Sequence, residues 1–360
     1  MAVSNDRSPA VQSGESIQES HHGAIDPGEM IRRGIDPDQV IDFSTNINPF
    51  GPSPRVREAV CGCALERYPD RHCLRLRETI AAHEAVATDH IIVGNGSSEL
   101  LQSLAQLLLR PGDKVLIMGP TYCEYARSAR LVEAQVNECR ATPESGFAIP
   151  VDAFDDALRQ GRPNMAFLCN PNNPTGKVIE REKLLRWVDA NRETWFVIDE
   201  SYIDFAASAD SVIGTTFPNL IVLRSMTKSY ALAGLRLGYA CADGDVIRRL
   251  CQRRVPWNVS TPAQVAGVAA MEDQAYLKSS LKRLETAKSE LLNRLAKRGF
   301  VSVDSATNFF LLRVSDVAAV RESLLVQNLL VRDCTSFGID NHIRIGVRTR
   351  EENARLIDCI

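Results

Sequence analysis

Five short apolar runs recur through the middle of this 360-residue chain, and stretches of helical periodicity separate them. They are Ile91-Ile92-Val93, Val115-Leu116-Ile117-Met118, Met165-Ala166-Phe167-Leu168, Phe196-Val197-Ile198 and Leu220-Ile221-Val222-Leu223. Runs this short and this uniformly apolar read as strands buried on both faces. Between two of them, Leu100, Leu101, Leu104, Leu107 and Leu108 fall on one helical face, and residues 180–191 read as an amphipathic helix. Strand and helix alternating in this way predict an α/β layer, a largely parallel central sheet with helices on both sides.

The flanking regions have a different texture. Val40-Ile41-Asp42-Phe43 reads as a short strand running into Asn46-Ile47-Asn48-Pro49-Phe50-Gly51-Pro52, which is dense in turn formers. Helices are expected over 55–63 and 74–84. A long charged helix over 274–298 precedes strands at 301–303, 309–314 and 343–347, with a helix at 317–327, a smaller α+β domain. The expected division is a disordered leader over 1–25, an N-terminal segment of the small domain over 26–60, a large domain over 61–272 and the rest of the small domain over 273–360.

Composition narrows the function classes. A formal net charge of -3 gives no electrostatic reason to expect nucleic acid or an anionic membrane as partner. No apolar run approaches the ~20 residues a membrane span needs. The ten cysteines are scattered, with Cys61-Gly62-Cys63 the only close pair. That pattern predicts reduced thiols in a cytoplasmic protein and no bound metal.

Chemistry gathers at the ends of the predicted strands. In Gly94-Asn95-Gly96-Ser97-Ser98-Glu99, a strand gives way through glycines to a helix, offering free amides and two hydroxyls to an anion or simply a serine cap. Tyr122 follows Gly119-Pro120-Thr121, as a stacking ring or a core aromatic, and Asn173 lies in Asn172-Asn173-Pro174-Thr175-Gly176, a binding loop or a turn. Asp199 closes a strand in Asp199-Glu200-Ser201-Tyr202, where a buried carboxylate needs a partner. Lys228 stands in Arg224-Ser225-Met226-Thr227-Lys228, and Arg236 follows in Gly234-Leu235-Arg236-Leu237-Gly238. Lys228 should emerge at the carboxyl edge of the sheet, where open α/β sheets bind ligands. An amine, a buried acid, several hydroxyls and an arginine in this order are what a pyridoxal phosphate (PLP) enzyme needs. Ser225, Thr227 and Arg236 would face the phosphate, Asp199 the pyridine nitrogen, and Tyr202 and Asn173 the ring oxygen.

From Ile41 to Asp358 the chain resembles the class I/II aminotransferase superfamily of fold-type I PLP enzymes. The resemblance implies Lys228 as the Schiff-base lysine, with Asp199 and Tyr202 beside it in catalysis. It implies Ser97, Ser98, Tyr122, Asn173, Ser225, Thr227 and Arg236 around the cofactor. Tyr68, in Arg67-Tyr68-Pro69-Asp70, matches a tyrosine that reaches the neighbouring subunit's cofactor phosphate, which implies a homodimer with shared active sites. Arg344, in Ile343-Arg344-Ile345-Gly346-Val347, matches an arginine that binds substrate carboxylate or phosphate.

Within the superfamily the chain is similar to threonine-phosphate decarboxylases of cobalamin synthesis and to histidinol-phosphate aminotransferases. Asn46 and Ile47 in Asp42-Phe43-Ser44-Thr45-Asn46-Ile47-Asn48-Pro49, Arg348 after Val347, the Val255 to Ser260 segment and the Ser-Met-Thr-Lys form of the lysine motif lean toward the decarboxylase. His22-Gly23-Ala24 resembles a decarboxylase His-Gly-Gly start with the second glycine missing, which leaves His22 open between substrate binding and a surface position. Asn46, Arg344, Arg348 and His22 are thus the expected substrate contacts. The leading expectation is decarboxylation of L-threonine O-3-phosphate, with amino transfer between histidinol phosphate and 2-oxoglutarate as the alternative. A regulator on this fold would carry a basic winged-helix module, and a dead scaffold would lack the lysine or the aspartate.

Overall fold

The computed structural model describes residues 23–360. His22 and most of the expected leader lie outside them. The strands are β1 (Ile41–Asp42), β2 (Ile91–Asn95), β3 (Lys114–Gly119), β4 (Gln135–Arg140), β5 (Met165–Cys169), β6 (Trp195–Asp199), β7 (Leu220–Ser225), β8 (Leu237–Ala242), β9 (Phe309–Arg313), β10 (Leu329–Leu330), β11 (Arg332–Asp333) and β12 (His342–Gly346). Seven of them form the central sheet in the order β2-β8-β7-β6-β5-β3-β4. Only β8 runs against its neighbours, pairing antiparallel with both β2 and β7. The sheet is therefore mostly parallel, as the apolar runs predict.

Alternation along each strand sorts side chains onto two covered faces. Ile117, Phe167, Val197 and Ile221 face the helices Ser97–Leu108 and Gly244–Arg253. Leu116, Leu168, Ile198 and Val222 face the helices Val151–Gly161 and Arg181–Ala190. The same two-residue period decides the strand ends. Asp199 and Ser225 line the cleft described below, whereas Glu200 and Arg224 pair with one another on the other side.

A second layered unit contains the antiparallel sheet β11-β12-β9, whose core includes Phe43, Phe310, Ile343 and Ile345 together with Leu284 and Leu291 of the helix Gln274–Lys297. β1 pairs in parallel with β10, so the N-terminal segment joins the C-terminal unit. The helix Pro54–Cys61 does not follow it, contrary to the expected boundary at 60. Its Val56 is buried with Leu76, Ile80 and Ala263, under the β2–β8 edge of the central sheet. The strand expected at 301–303 is reduced to a single bridge from Ser302 to Leu312.

Candidate active site

β2, β3, β5, β6 and β7 all end at one edge of the central sheet, and antiparallel β8 begins there. The loops leaving these ends and the face of the three-stranded sheet enclose a cleft of about 900 Å³, counting the part open to solvent. Asn46, Ser97, Ser98, Tyr122, Asn173, Asp199, Tyr202, Ser225, Thr227, Lys228, Arg236 and Arg344 all line it. Residues from near both ends of the sequence thus converge on one space.

One end of the cleft is built for an anion. Gly96 opens the helix Ser97–Leu108 with φ 81°, and no side chain caps the helix. A Cβ on Gly96 would stand 2.8 Å from Arg236 Nη2, so glycine lets the guanidinium lie against the helix start. Arg236 is anchored by Nη1 donating to Ala233 O at 3.1 Å. Ser225 and Thr227 bring their hydroxyls within 2.7 Å of each other in the same cleft.

The middle holds the titrating groups. Tyr125 Oη donates to Asp199 Oδ2 at 2.8 Å, and Ser201 donates to Oδ1 from its backbone N at 2.9 Å and from its hydroxyl. Burial raises the Asp199 carboxyl above its ordinary value against these hydrogen bonds. No basic side chain forms an ion pair with it among the described residues. Burial, then Arg344 and Arg236, press the Lys228 ammonium down to about 8, and Asp199 opposes them. An amine so placed is largely a nucleophile at mildly alkaline pH. Tyr202 Oη accepts from Asn46 Nδ2 at 3.3 Å, and burial pushes its phenol well up. Ser98 Oγ and Tyr122 Oη are 3.4 Å apart, and burial raises the Tyr122 phenol to about 12.

The far wall is cationic. Arg344 is buried, donates through Nη1 to Asn173 Oδ1 and through Nη2 to Ser44 O at 2.6 Å, and leaves Nε without a hydrogen bond. Desolvation lowers its pKa. Directly across the β11–β12 pair stands Arg332, which also lines the cleft and donates to Ser336 Oγ at 2.7 Å. Sequence reasoning missed Arg332, because only the register of a two-residue strand puts it beside Arg344. It also missed Tyr125, whose signal was available: it sits one helical turn beyond Tyr122.

Two expected site residues lie elsewhere. Arg348 does not line the cleft; it donates to Asp42 O at 3.1 Å and to Glu352 Oε1 at 2.9 Å, beside the capping box that Thr349 and Glu352 make for the last helix. The basic residue expected to touch substrate is thus held by a helix start. Tyr68 is 80% exposed and stacks on Trp257 with ring centroids 4.6 Å apart. It does not line the cleft. Gly23, next to His22, does line the cleft, and a Cβ there would collide with Ser44 O.

A model of the family "Aminotransferase class I and II" matches residues 38–360. The chain belongs to this family. Histidinol-phosphate aminotransferase 1 of Bacillus cereus is 33% identical to this aminotransferase-family chain over 342 residues, covering 92% of it and 91% of that protein. Among solved structures, the histidinol-phosphate aminotransferase from Clostridium acetobutylicum superposes with a TM-score of 0.80 at 26% identity, covering 88% of this chain and 97% of that one. The L-threonine-O-3-phosphate decarboxylase from Porphyromonas gingivalis superposes with a TM-score of 0.77 at 25% identity, again covering 88% and 97%. The family is one of PLP-dependent enzymes. The cleft fits that cofactor on its own chemistry: an anion seat at Gly96 and Arg236, a buried carboxylate in no ion pair among the described residues, and a depressed amine.

Proposed function

We propose that this protein transfers the amino group of a small phosphate-bearing amine of the histidinol phosphate type to a 2-oxo acid such as 2-oxoglutarate, using PLP. When bound, PLP supplies an aldehyde that joins to amines and a pyridine ring that accepts electrons. Lys228 would hold the aldehyde through its amine and would move the proton at the substrate's α carbon. Asp199, buried and aligned by Tyr125 and Ser201, would hold the proton of the pyridine nitrogen. Tyr202 and Asn173 would hold the ring hydroxyl oxygen, and Tyr122 would stack on the ring. Ser97, Ser98, Ser225, Thr227 and Arg236 would take the phosphate, joined by Tyr68 of a second copy in a two-fold dimer.

The observation that carries the substrate class is Arg344, buried at the cleft wall with its Nε making no hydrogen bond. A buried guanidinium calls for an anion. A substrate phosphate or carboxylate answers it, and the planar fork favours bidentate contact. Asn46, donating to Tyr202, stands between this wall and the cofactor residues.

The two readings drawn from the sequence exchange places here. Similarity to histidinol-phosphate aminotransferases over 92% of the chain supports amino transfer. Arg348, held by Asp42 and Glu352, lends decarboxylation no support as a substrate contact. Decarboxylation of L-threonine O-3-phosphate keeps the support of Ile47 in the opening segment and of the Porphyromonas gingivalis structure. Incubating the loaded protein with each substrate and measuring glutamate against CO2 separates them. Amino transfer gives glutamate from histidinol phosphate and 2-oxoglutarate; CO2 from threonine phosphate without glutamate would reverse the order again. A cytoplasmic location is proposed from the cysteines, since all ten are free thiols. No helix among the described residues is long and apolar enough to cross a membrane.

A further inference from the structure

The peptides at Lys228 and Ser229 are held from behind by a residue that no part of the chemistry above uses. Asn48 is buried. Its backbone N donates to Lys228 O at 3.0 Å, and its Nδ2 donates to Ser229 O at 2.9 Å and to Ser280 Oγ at 2.8 Å. Its Oδ1 accepts from Phe50 N at 3.2 Å, so every polar atom of the carboxamide is committed. On the other side, Ser229 Oγ donates to Asp204 Oδ2 at 2.5 Å, and Asp204 pairs with Arg224 at 3.4 Å. Consecutive carbonyls of residues 228 and 229 therefore both point at Asn48, leaving the lysine side chain directed into the cleft.

Asn48 also belongs to a short stretch that touches the substrate wall. Ser44 O accepts from Arg344, Asn46 Nδ2 donates to Tyr202 Oη, and Asn46 O accepts from Asn308 Nδ2 at 3.0 Å. Ser280, the third partner of Asn48, lies on the helix Gln274–Lys297 that builds the C-terminal unit. One strap thus joins the anion-binding arginine, the Tyr202 phenol and the lysine peptide, and it ties all three to a helix outside the central sheet.

We infer that Asn48 is a positioning residue for Lys228: through the 44–48 strap it fixes the lysine peptide relative to the substrate-binding wall and the helix bearing Ser280. The consequence for the reaction rests on Lys228 being the cofactor lysine; the clamp itself does not. With the carboxamide removed, the backbone bond to Lys228 O remains but Ser229 O and the Ser280 anchor are lost, so the amine is less firmly held where burial, then Arg344 and Arg236, lower its proton affinity and Asp199 raises it. Misplacement on this scale costs turnover more than binding, because the substrate's anion still meets Arg344.

The test uses Asn48→Ala in the full chain, with two readouts. In cofactor-free protein, competitive acetylation across pH with peptide mapping reports the proton affinity of Lys228 directly. The parent is expected to titrate at about 8 and the variant nearer the ordinary lysine value of 10.5. In protein loaded with PLP, kcat per bound cofactor should fall about 10- to 100-fold while the amine substrate's KM stays within about two-fold. Ser280→Ala, which removes only the outer anchor, should show the same split at smaller size and serves if Asn48→Ala does not fold. An unchanged Lys228 titration in the soluble variant, or a loss of activity that merely tracks cofactor retention and Tm, overturns the inference. Should the cofactor prove to sit on another lysine, the difference in Lys228 acetylation between the parent and Asn48→Ala would still report the clamp, so the two failures are distinguishable.

Discussion

Lys228 and Arg344 are coupled through charge, and the coupling is testable at single residues. After burial, Arg344 is the largest influence holding the Lys228 amine at about 8. Only the neutral amine attacks an aldehyde, so PLP capture by the cofactor-free protein should speed up as pH rises and level off above about 8. Arg344→Met removes a cation, so the midpoint should move to higher pH; an absorbance time course across pH checks both. The same substitution should raise KM for a phosphate-bearing amine by about 10- to 100-fold, since a charge-assisted contact is worth ~1.5–3 kcal/mol. Much of this was legible in advance. Asp199 and Ser225 end strands at the ligand-binding edge, Tyr202 and Lys228 follow them and Arg236 precedes one, and strand ends can be read from apolar runs. Arg332 could not be read, because its place depends on pairing across β11 and β12 rather than on its neighbours in sequence. Arg348 misled for the converse reason: its role is set by Glu352, one turn along the following helix.

The strand β8 shows how one element serves both the fold and the site. It returns antiparallel from the lysine loop, bringing Arg236 to the edge where β7 has just ended. Gly238 allows this, because a Cβ there would stand 2.6 Å from Ser97 N and 2.9 Å from Arg224 O. Gly238→Ala should therefore cost about 1–3 kcal/mol by overpacking and weaken PLP binding by displacing the helix start. Gly234→Ala, where nothing lies within 4 Å of the added Cβ, should change neither. Thermal unfolding and a PLP titration of the two variants make the comparison. The sequence pattern missed β8 because Leu237-Gly238-Tyr239-Ala240-Cys241-Ala242 is rich in small residues, and missed β4 because Gln135–Arg140 is a polar edge strand. The short, uniformly apolar runs of β3, β5, β6 and β7 were legible because they are buried on both faces.

At the scale of the whole molecule, the proposed dimer bears on a group of exposed aromatic and aliphatic side chains. Tyr68 and Trp257 stack at the surface, and Leu65, Leu74 and Val255 close by in sequence are exposed as well. Asn258, next to Trp257, donates to Glu99 in the first turn of the helix that starts at the phosphate end of the cleft. On the dimer proposed above, Tyr68→Phe should leave the sedimentation coefficient unchanged while weakening PLP retention by about 3- to 10-fold, the worth of one hydrogen bond. A monomeric parent protein in sedimentation velocity would remove the shared-site arrangement. The account depends above all on where the cofactor is attached. Borohydride reduction of the PLP-loaded protein, followed by proteolysis and mapping of the labelled peptide, reads this directly. The label is predicted on Lys228, in the peptide that follows β7; a label on any other lysine, or none, contradicts the assignment of the site.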